Sequence, residues 1–144
     1  YIIIVYNNRK MLATTLMNKN KTNVSTLVFK KKFTVEERTQ ESSRVLTKYP
    51  DRIPVICEKN PKCKGIPDID KNKYLVPCDL TCGQFIYIIR RRLSLPAEKG
   101  IFLLVDGVIP PSSEAISSVY SKHRNKDNFL YITYTGENVF GRHY

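Results

Sequence analysis

The sequence has no tryptophan, only two histidines (His123 and His143), and no apolar run long enough to cross a bilayer, which takes roughly 18 residues. Its opening apolar stretch, Tyr1 to Tyr6, is too short for a span and lacks the preceding positive charge of a secretory signal. Four cysteines in 144 residues do not make a disulfide scaffold. A reduced chain, in or facing the cytosol, is therefore expected. Six glycines are few, and none belongs to a phosphate-cradling loop. Acidic residues are missing altogether from residues 1–32, which hold seven basic ones: Arg9, Lys10, Lys19, Lys21, Lys30, Lys31 and Lys32. Residues 33–144 carry 17 basic against 13 acidic residues, so most of the net +11 belongs to the first fifth of the chain. Overall charge is then a weak argument for a nucleic-acid partner.

What is present suffices for one globular domain, since 42% of the residues are hydrophobic. Residues 1–32 read as a separate basic segment, half of it Asn, Lys, Ile and Tyr, and disorder is expected there. A native start at Met11 or later is one reading of this segment, and a transit peptide is a competing one. From Phe33 onward the pattern is structured. Thr34 followed by Glu37 forms a capping box for a helix to Thr47, whose thin apolar stripe must pack on something larger. Ile53 to Cys57 predicts a strand covered on both faces, and Tyr74-Leu75-Val76 a short one closed by Pro77. Thr81 with Gln84 caps a helix carrying Phe85, Ile88, Ile89 and Leu93, with Arg90, Arg91 and Arg92 in its last turn. A strand at 101–105, an Asp106-Gly107 hairpin turn with a return at Val108, a helix capped by Ser113 and a strand at 129–134 complete the order. This predicts an α+β fold, a mixed sheet packed on a central helix.

No catalytic constellation emerges. Cys57 and Cys63, and Cys78 and Cys82, lack the spacing of a zinc site, and only two histidines are available to join them. A hydrolytic triad would have to use His123, which stands in a polar run at a helix end. Arg90–Arg92 is the best single argument for a polyanion partner, but with only +4 on residues 33–144 it is better explained by a solvated helix end with one arginine directed at a partner carboxylate. The Tyr74–Val76 strand, flanked by Lys71 and Lys73 and stopped by Pro77, has the guarded look of a sheet edge. Such an edge can accept an added peptide strand.

Five segments carry a stronger signal: KYPDRIPVICEK (48–59), DIDKNKYLVPCDLTCGQF (68–85), IIRRRLSL (88–95), FLLVDGVIPP (102–111) and FLYITYTGENVFG (129–141). Together they resemble the autophagy-related ubiquitin-like modifiers, the family of the GABA-receptor-associated protein and the microtubule-associated protein light chain. The resemblance covers residues 33–141 and implies a ubiquitin-like β-grasp with an N-terminal helical extension and no enzymatic activity, cofactor or metal. It implies conjugation through Gly141 to phosphatidylethanolamine, after a processing cysteine protease cuts between Phe140-Gly141 and Arg142 to release the tail 142–144. Activating and conjugating enzymes of the ubiquitin-like kind are the implied partners, and a cytoplasmic and lipid-anchored autophagosomal location follows. A plastid-type organelle role of the same modifier is an alternative, and a basic cytoskeletal or nucleic-acid-binding protein a further one.

The same resemblance implies docking of cargo receptors through short motifs of aromatic-x-x-aliphatic form preceded by acidic residues. Carried over by position, the aromatic pocket involves Glu41, Val45, Pro54, Ile56, Lys73, Leu75 and Phe129. The aliphatic pocket involves Tyr49, Val76, Pro77, Leu80, Phe85 and Ile88. Arg52, Lys71, Lys73 and Arg92 would meet the acidic flank.

Overall fold

A computed structural model describes residues 28–136 in full, and the backbone alone for residues 2–7 and 10–15. The elements in chain order are β1 (Ile2–Asn7), β2 (Lys10–Thr15), α1 (Val28–Lys32), α2 (Val35–Lys48), β3 (Arg52–Lys59), β4 (Lys73–Pro77), α3 (Cys82–Leu93), β5 (Phe102–Leu104), α4 (Ile116–His123) and β6 (Leu130–Thr135). The strands form one mixed sheet in the order β2-β1-β4-β3-β6-β5. At its centre β3 and β6 run parallel, while β3–β4 and β5–β6 are antiparallel.

Strand periodicity distributes the core. Ile53, Val55 and Cys57 of β3, Tyr74 and Val76 of β4, and Leu130, Ile132 and Tyr134 of β6 share one face with Phe85, Ile88, Ile89 and Leu93 of α3. The intervening residues Ile56 and Leu75 turn to the opposite face, where they meet Phe129, Val45 of α2 and Phe29 of α1. The sheet is thus sandwiched, which explains why β3 reads as a continuous apolar run rather than an alternating one.

Both expected capping boxes form. The Thr34 hydroxyl accepts from the Glu37 amide at 3.2 Å while Glu37 accepts from the Thr34 amide at 3.1 Å. Thr81 and Gln84 repeat the arrangement at 3.2 and 2.9 Å. Two expectations fail. Ser113 does not cap α4; Ala115 precedes the helix without a side-chain cap. The orphan amides of Ile116 and Ser117 instead donate to the carbonyls of Leu80 and Cys78 at 2.7 and 3.1 Å. The turn at Asp106-Gly107 forms with φ of 50° and 77°, but the return ends at one bridge, Val105 to Val108. Pro110 and Pro111 cannot donate to a ladder, so no strand follows.

The basic first segment also departs from expectation. Disorder was expected through residue 32, yet β1 and β2 pair in register from Ile2↔Thr15 to Asn7↔Lys10. β1 also runs parallel to β4, with Ile2 opposite Tyr74 and Ile3 opposite Leu75. Residues 28–32 form a helical turn whose Phe29 is 4% exposed. The lysines at 30–32 hid this from the sequence reading, because a charge run masks one apolar residue per turn.

The helical extension is fastened to the sheet by a buried ion pair. Arg38 Nη1 of α2 lies 2.5 Å from Asp127 Oδ2, and the Tyr131 hydroxyl donates to the same oxygen at 2.5 Å. Asp127 Oδ1 accepts from the Phe129 amide at 2.9 Å, and the Ser42 hydroxyl donates to the Asp127 carbonyl at 2.5 Å. Every polar atom of Asp127 described here has a partner in a site with no exposure. Removing one member of such a pair leaves an uncompensated buried charge, at a cost of about 3–5 kcal/mol. Asp127→Ala is accordingly expected to lower unfolding free energy by about that amount, measured by urea titration. A change below about 1 kcal/mol would mean that the pair does not hold the extension.

Candidate docking edge

The strand expected from sequence to be a free sheet edge, β4, is not one, because β1 pairs along its outer side; ladder parity fixes what β4 presents there. The Cys57 amide donates to the Asn72 carbonyl at 2.8 Å, so residues 72, 74 and 76 turn their backbone groups toward β3. Lys73 and Leu75 therefore turn theirs away from β3. Pro54 lies opposite Leu75, a position where the ladder needs no donor, which is why proline is tolerated inside β3. Pro77 ends the edge because it has no N–H to offer.

The two expected pockets fall on opposite faces of this strand. Val45, Ile56, Leu75 and Phe129 do cluster, all at 1% exposure or less, with the α2 side. Pro54 is buried on β3 between Ile53 and Val55, and Glu41 stands one turn before Val45, half-buried and paired with Arg44 at 2.7 Å. Val76, Leu80, Phe85 and Ile88 cluster on the α3 side. Tyr49 is the exception, since it packs with the aromatic set rather than the aliphatic one. Leu80, Phe85 and Val76 have no exposed surface, so they are core residues first and can only form the back wall of a groove. Pro77 is buried beside them. A strand added at this edge would send alternate side chains toward these two clusters.

Three residues missed in the sequence reading complete the aromatic side. Phe29 meets Phe129 edge-on, with ring centroids 5.2 Å apart and planes at 82°. Phe33 lies 5.2 Å from Phe29, and Tyr131 6.4 Å from it. The Phe29 amide donates to the buried carboxylate of Glu58 at 3.4 Å, which places negative charge at the start of α1. Phe29 and Phe33 recur at i, i+4, and that spacing was the available signal.

The cations divide. Lys73 Nζ stands over the rings of Phe29 and Phe33 at 5.5 and 5.7 Å. Burial pushes the Lys73 pKa down, and Glu41 opposes that shift. Lys71 is exposed and Arg52 half-buried near the same strand. Arg92 is otherwise engaged: its Nη2 lies 2.6 Å from Asp70, so it is braced by an internal carboxylate rather than held ready for a ligand. Its neighbours also have partners in the chain. Arg90 donates to the Lys99 and Pro96 carbonyls at 2.5 and 3.0 Å, and Arg91 stands 5.9 Å from the Tyr87 ring. The Arg90–Arg92 run is thereby largely a structural device at the end of α3.

Burial raises the Cys57 thiol far above its ordinary range, and burial with Glu114 pushes Cys82 up to about 11. Among the described residues no three His, Cys, Asp or Glu side chains gather as metal ligands. His123 pairs through Nδ1 with exposed Asp106 at 2.9 Å. Gly141, Phe140 and Arg142 lie outside the described residues.

A ubiquitin-like β-grasp carrying an N-terminal helical extension is the class that this topology defines. The family model described as "Autophagy protein Atg8 ubiquitin like" matches residues 37–141, and the chain belongs to that family. Autophagy-related protein 8 of Saccharomyces cerevisiae is 54% identical over 114 residues, covering 79% of this chain and 97% of the yeast protein. Autophagy-related protein 8e of Arabidopsis thaliana is 57% identical over 114 residues, covering 79% and 93%. The crystal structure of Trypanosoma brucei ATG8 superposes with a TM-score of 0.72 at 40% identity, covering 76% of this chain and 93% of that one. The chain is thus an Atg8-family ubiquitin-like modifier of autophagy, not an enzyme.

Phe29 sets the cost of disturbing the aromatic side. Phe29→Ala removes a ring that is 4% exposed and is expected to cost about 3 kcal/mol, read as a lower urea midpoint at unchanged slope. An unshifted midpoint would mean that α1 is not docked in solution.

Proposed function

We propose that this chain is conjugated through Gly141 to the amine of phosphatidylethanolamine and recruits receptors along β4. The observation that carries the docking half is a strand whose Lys73 and Leu75 backbone groups turn outward between two apolar clusters, with Lys71 and Lys73 beside it. An extended ligand gains main-chain hydrogen bonds from Leu75, and its acidic flank gains from the lysines. The conjugation half is supported by the family match, which ends at Gly141.

The chemistry needs little from the chain itself. A cysteine protease cleaves the Gly141–Arg142 amide and frees the Gly141 carboxylate. An activating enzyme adenylates that carboxylate with a nucleoside triphosphate, releasing pyrophosphate; its cysteine thiol then displaces the nucleoside monophosphate to form a thioester, which passes by thiol exchange to the conjugating enzyme. The lipid amine attacks the thioester carbonyl, an amide forms and the enzyme's thiol leaves. A terminal residue without Cβ fits narrow catalytic clefts and tolerates backbone angles closed to others. No helix among the described residues is long and apolar enough to cross a membrane. A covalent lipid is the anchor proposed here, with autophagosomal membrane as the destination.

Two measurements test the two halves separately. Gly141→Ala is expected to abolish the mass increment of one phosphatidylethanolamine in cells, and a normally lipidated variant would overturn the assignment. Lys73→Glu is expected to weaken a Glu-Glu-Asp-Trp-Ala-Ala-Leu peptide about tenfold by calorimetry, about 1.4 kcal/mol, while circular dichroism stays unchanged. Equal affinity would remove β4 as the docking edge. Leu75→Ala is a poorer probe, because Leu75 is 1% exposed and its truncation destabilises the domain.

A further inference from the structure

The edge proposed to receive receptors is already taken in the full chain. β1 lies parallel to β4, and the ladder places Ile3 opposite Leu75. Because Tyr74 and Val76 turn their backbone groups to β3, Leu75 is the residue that bonds outward, to the two residues flanking Ile3. Its N–H is directed at the Ile2 carbonyl, and its carbonyl receives the Ile4 N–H. The occupying strand begins at Ile2, and with the residue before it in the sequence its first residues read Tyr-Ile-Ile-Ile, an aromatic-x-x-aliphatic string. β2 pairs with the far side of β1 along its whole length, so the occupant is a braced hairpin rather than a lone strand.

We propose that the N-terminal hairpin is an internal competitor for the docking edge, holding β4 closed until an acidic receptor segment displaces it. This rests on the docking reading given above. Charge argues for displaceability. Residues 1–27 contain Arg9, Lys10, Lys19 and Lys21 and no acidic residue, so the segment has no carboxylate to offer Lys71 and Lys73. An acidic ligand supplies the carboxylates that the segment lacks, and the exchange gains most at low ionic strength. Closure lowers apparent affinity by the fraction of molecules left open.

The test uses the full chain and its Ile4→Pro variant. Proline removes the N–H directed at the Leu75 carbonyl and leaves the core residues untouched. Hydrogen exchange at the Leu75 amide reads the closure directly, and calorimetry with the Glu-Glu-Asp-Trp-Ala-Ala-Leu peptide reads its consequence. The expected result is slow Leu75 exchange in the parent chain, fast exchange in Ile4→Pro, and about tenfold tighter peptide binding by the variant, as for an edge about 90% closed. Equal exchange in the two chains overturns the closure. Exchange that differs while both chains bind the peptide equally overturns the competition. Exchange that differs while neither chain binds overturns the docking reading and the competitor with it. Leu75 protection that disappears on dilution, with a dimer in sedimentation, would assign the occupant to a second copy and overturn the internal arrangement. Wild-type behaviour of Ile53→Val in both assays controls for small losses of core stability, since Ile→Val costs about 0.5–1.5 kcal/mol.

Discussion

The alternation of β4 between two cores is the constraint on which the rest of the molecule depends. Tyr74 and Val76 are committed to the α3 face, and Leu75 to the face covered by α1 and α2. A shift of one residue would exchange the two sets and bury Lys73 in place of Tyr74. Register is therefore fixed by burial, and the direction of every backbone group on β4 follows from it. The outward bonding capacity of Leu75 is thus a consequence of core packing. It needs no separate design.

That constraint would be idle without something to build the second face. A bare ubiquitin-like sheet with one covering helix has a single core, and Ile56, Leu75 and Phe129 would then meet water. α2 closes over them because Arg38 reaches the buried Asp127 and Val45 enters the cluster between Ile56 and Phe129. Asp127 belongs to the tight connection before β6, and its carboxylate also holds the Phe129 amide. One side chain consequently fixes the entry to the parallel strand and the angle of the extension. Buried pairs contribute uncertain net stability, but they are unforgiving about geometry. The aromatic side of the edge inherits its shape from that geometry.

What the sequence made legible follows the strength of local signals. Two capping boxes placed α2 and α3 within a residue or so, because reciprocal hydrogen bonds are encoded by residues three apart. The five shared segments carried the fold, whereas Lys71, Lys73 and Pro77 suggested a free edge at β4 that β1 in fact covers. The failures have physical causes. Ser113 had the chemistry of a cap, yet carbonyls of Leu80 and Cys78, distant in sequence, satisfied α4 instead. The Asp106-Gly107 turn formed without its return strand because two prolines follow. Arg92 looked available on a helix end, and only the folded chain brings Asp70 to it across 22 residues. Phe29 was hidden in a lysine run, its meaning set by rings more than 90 residues away.

The basic segment is where sequence and structure diverge most, and the divergence changes what its charge means. Read as a free tail, seven cations without an acid suggest a polyanion partner. With β1 on β4 and Phe29 in the aromatic cluster, two of these cations, Lys30 and Lys32, stand over the Tyr131 and Phe33 rings, on the aromatic side of the proposed docking strand. On the docking proposal, a segment with cations and no acid is the less favoured occupant and an acidic receptor the more favoured one. Backbone hydrogen bonds are indifferent to side-chain charge, so both can pair with Leu75. The two occupants differ chiefly in Coulombic energy, and that difference is screened by salt. Selectivity at such an edge is then a difference between two similar ladders, set by charge outside the ladder itself.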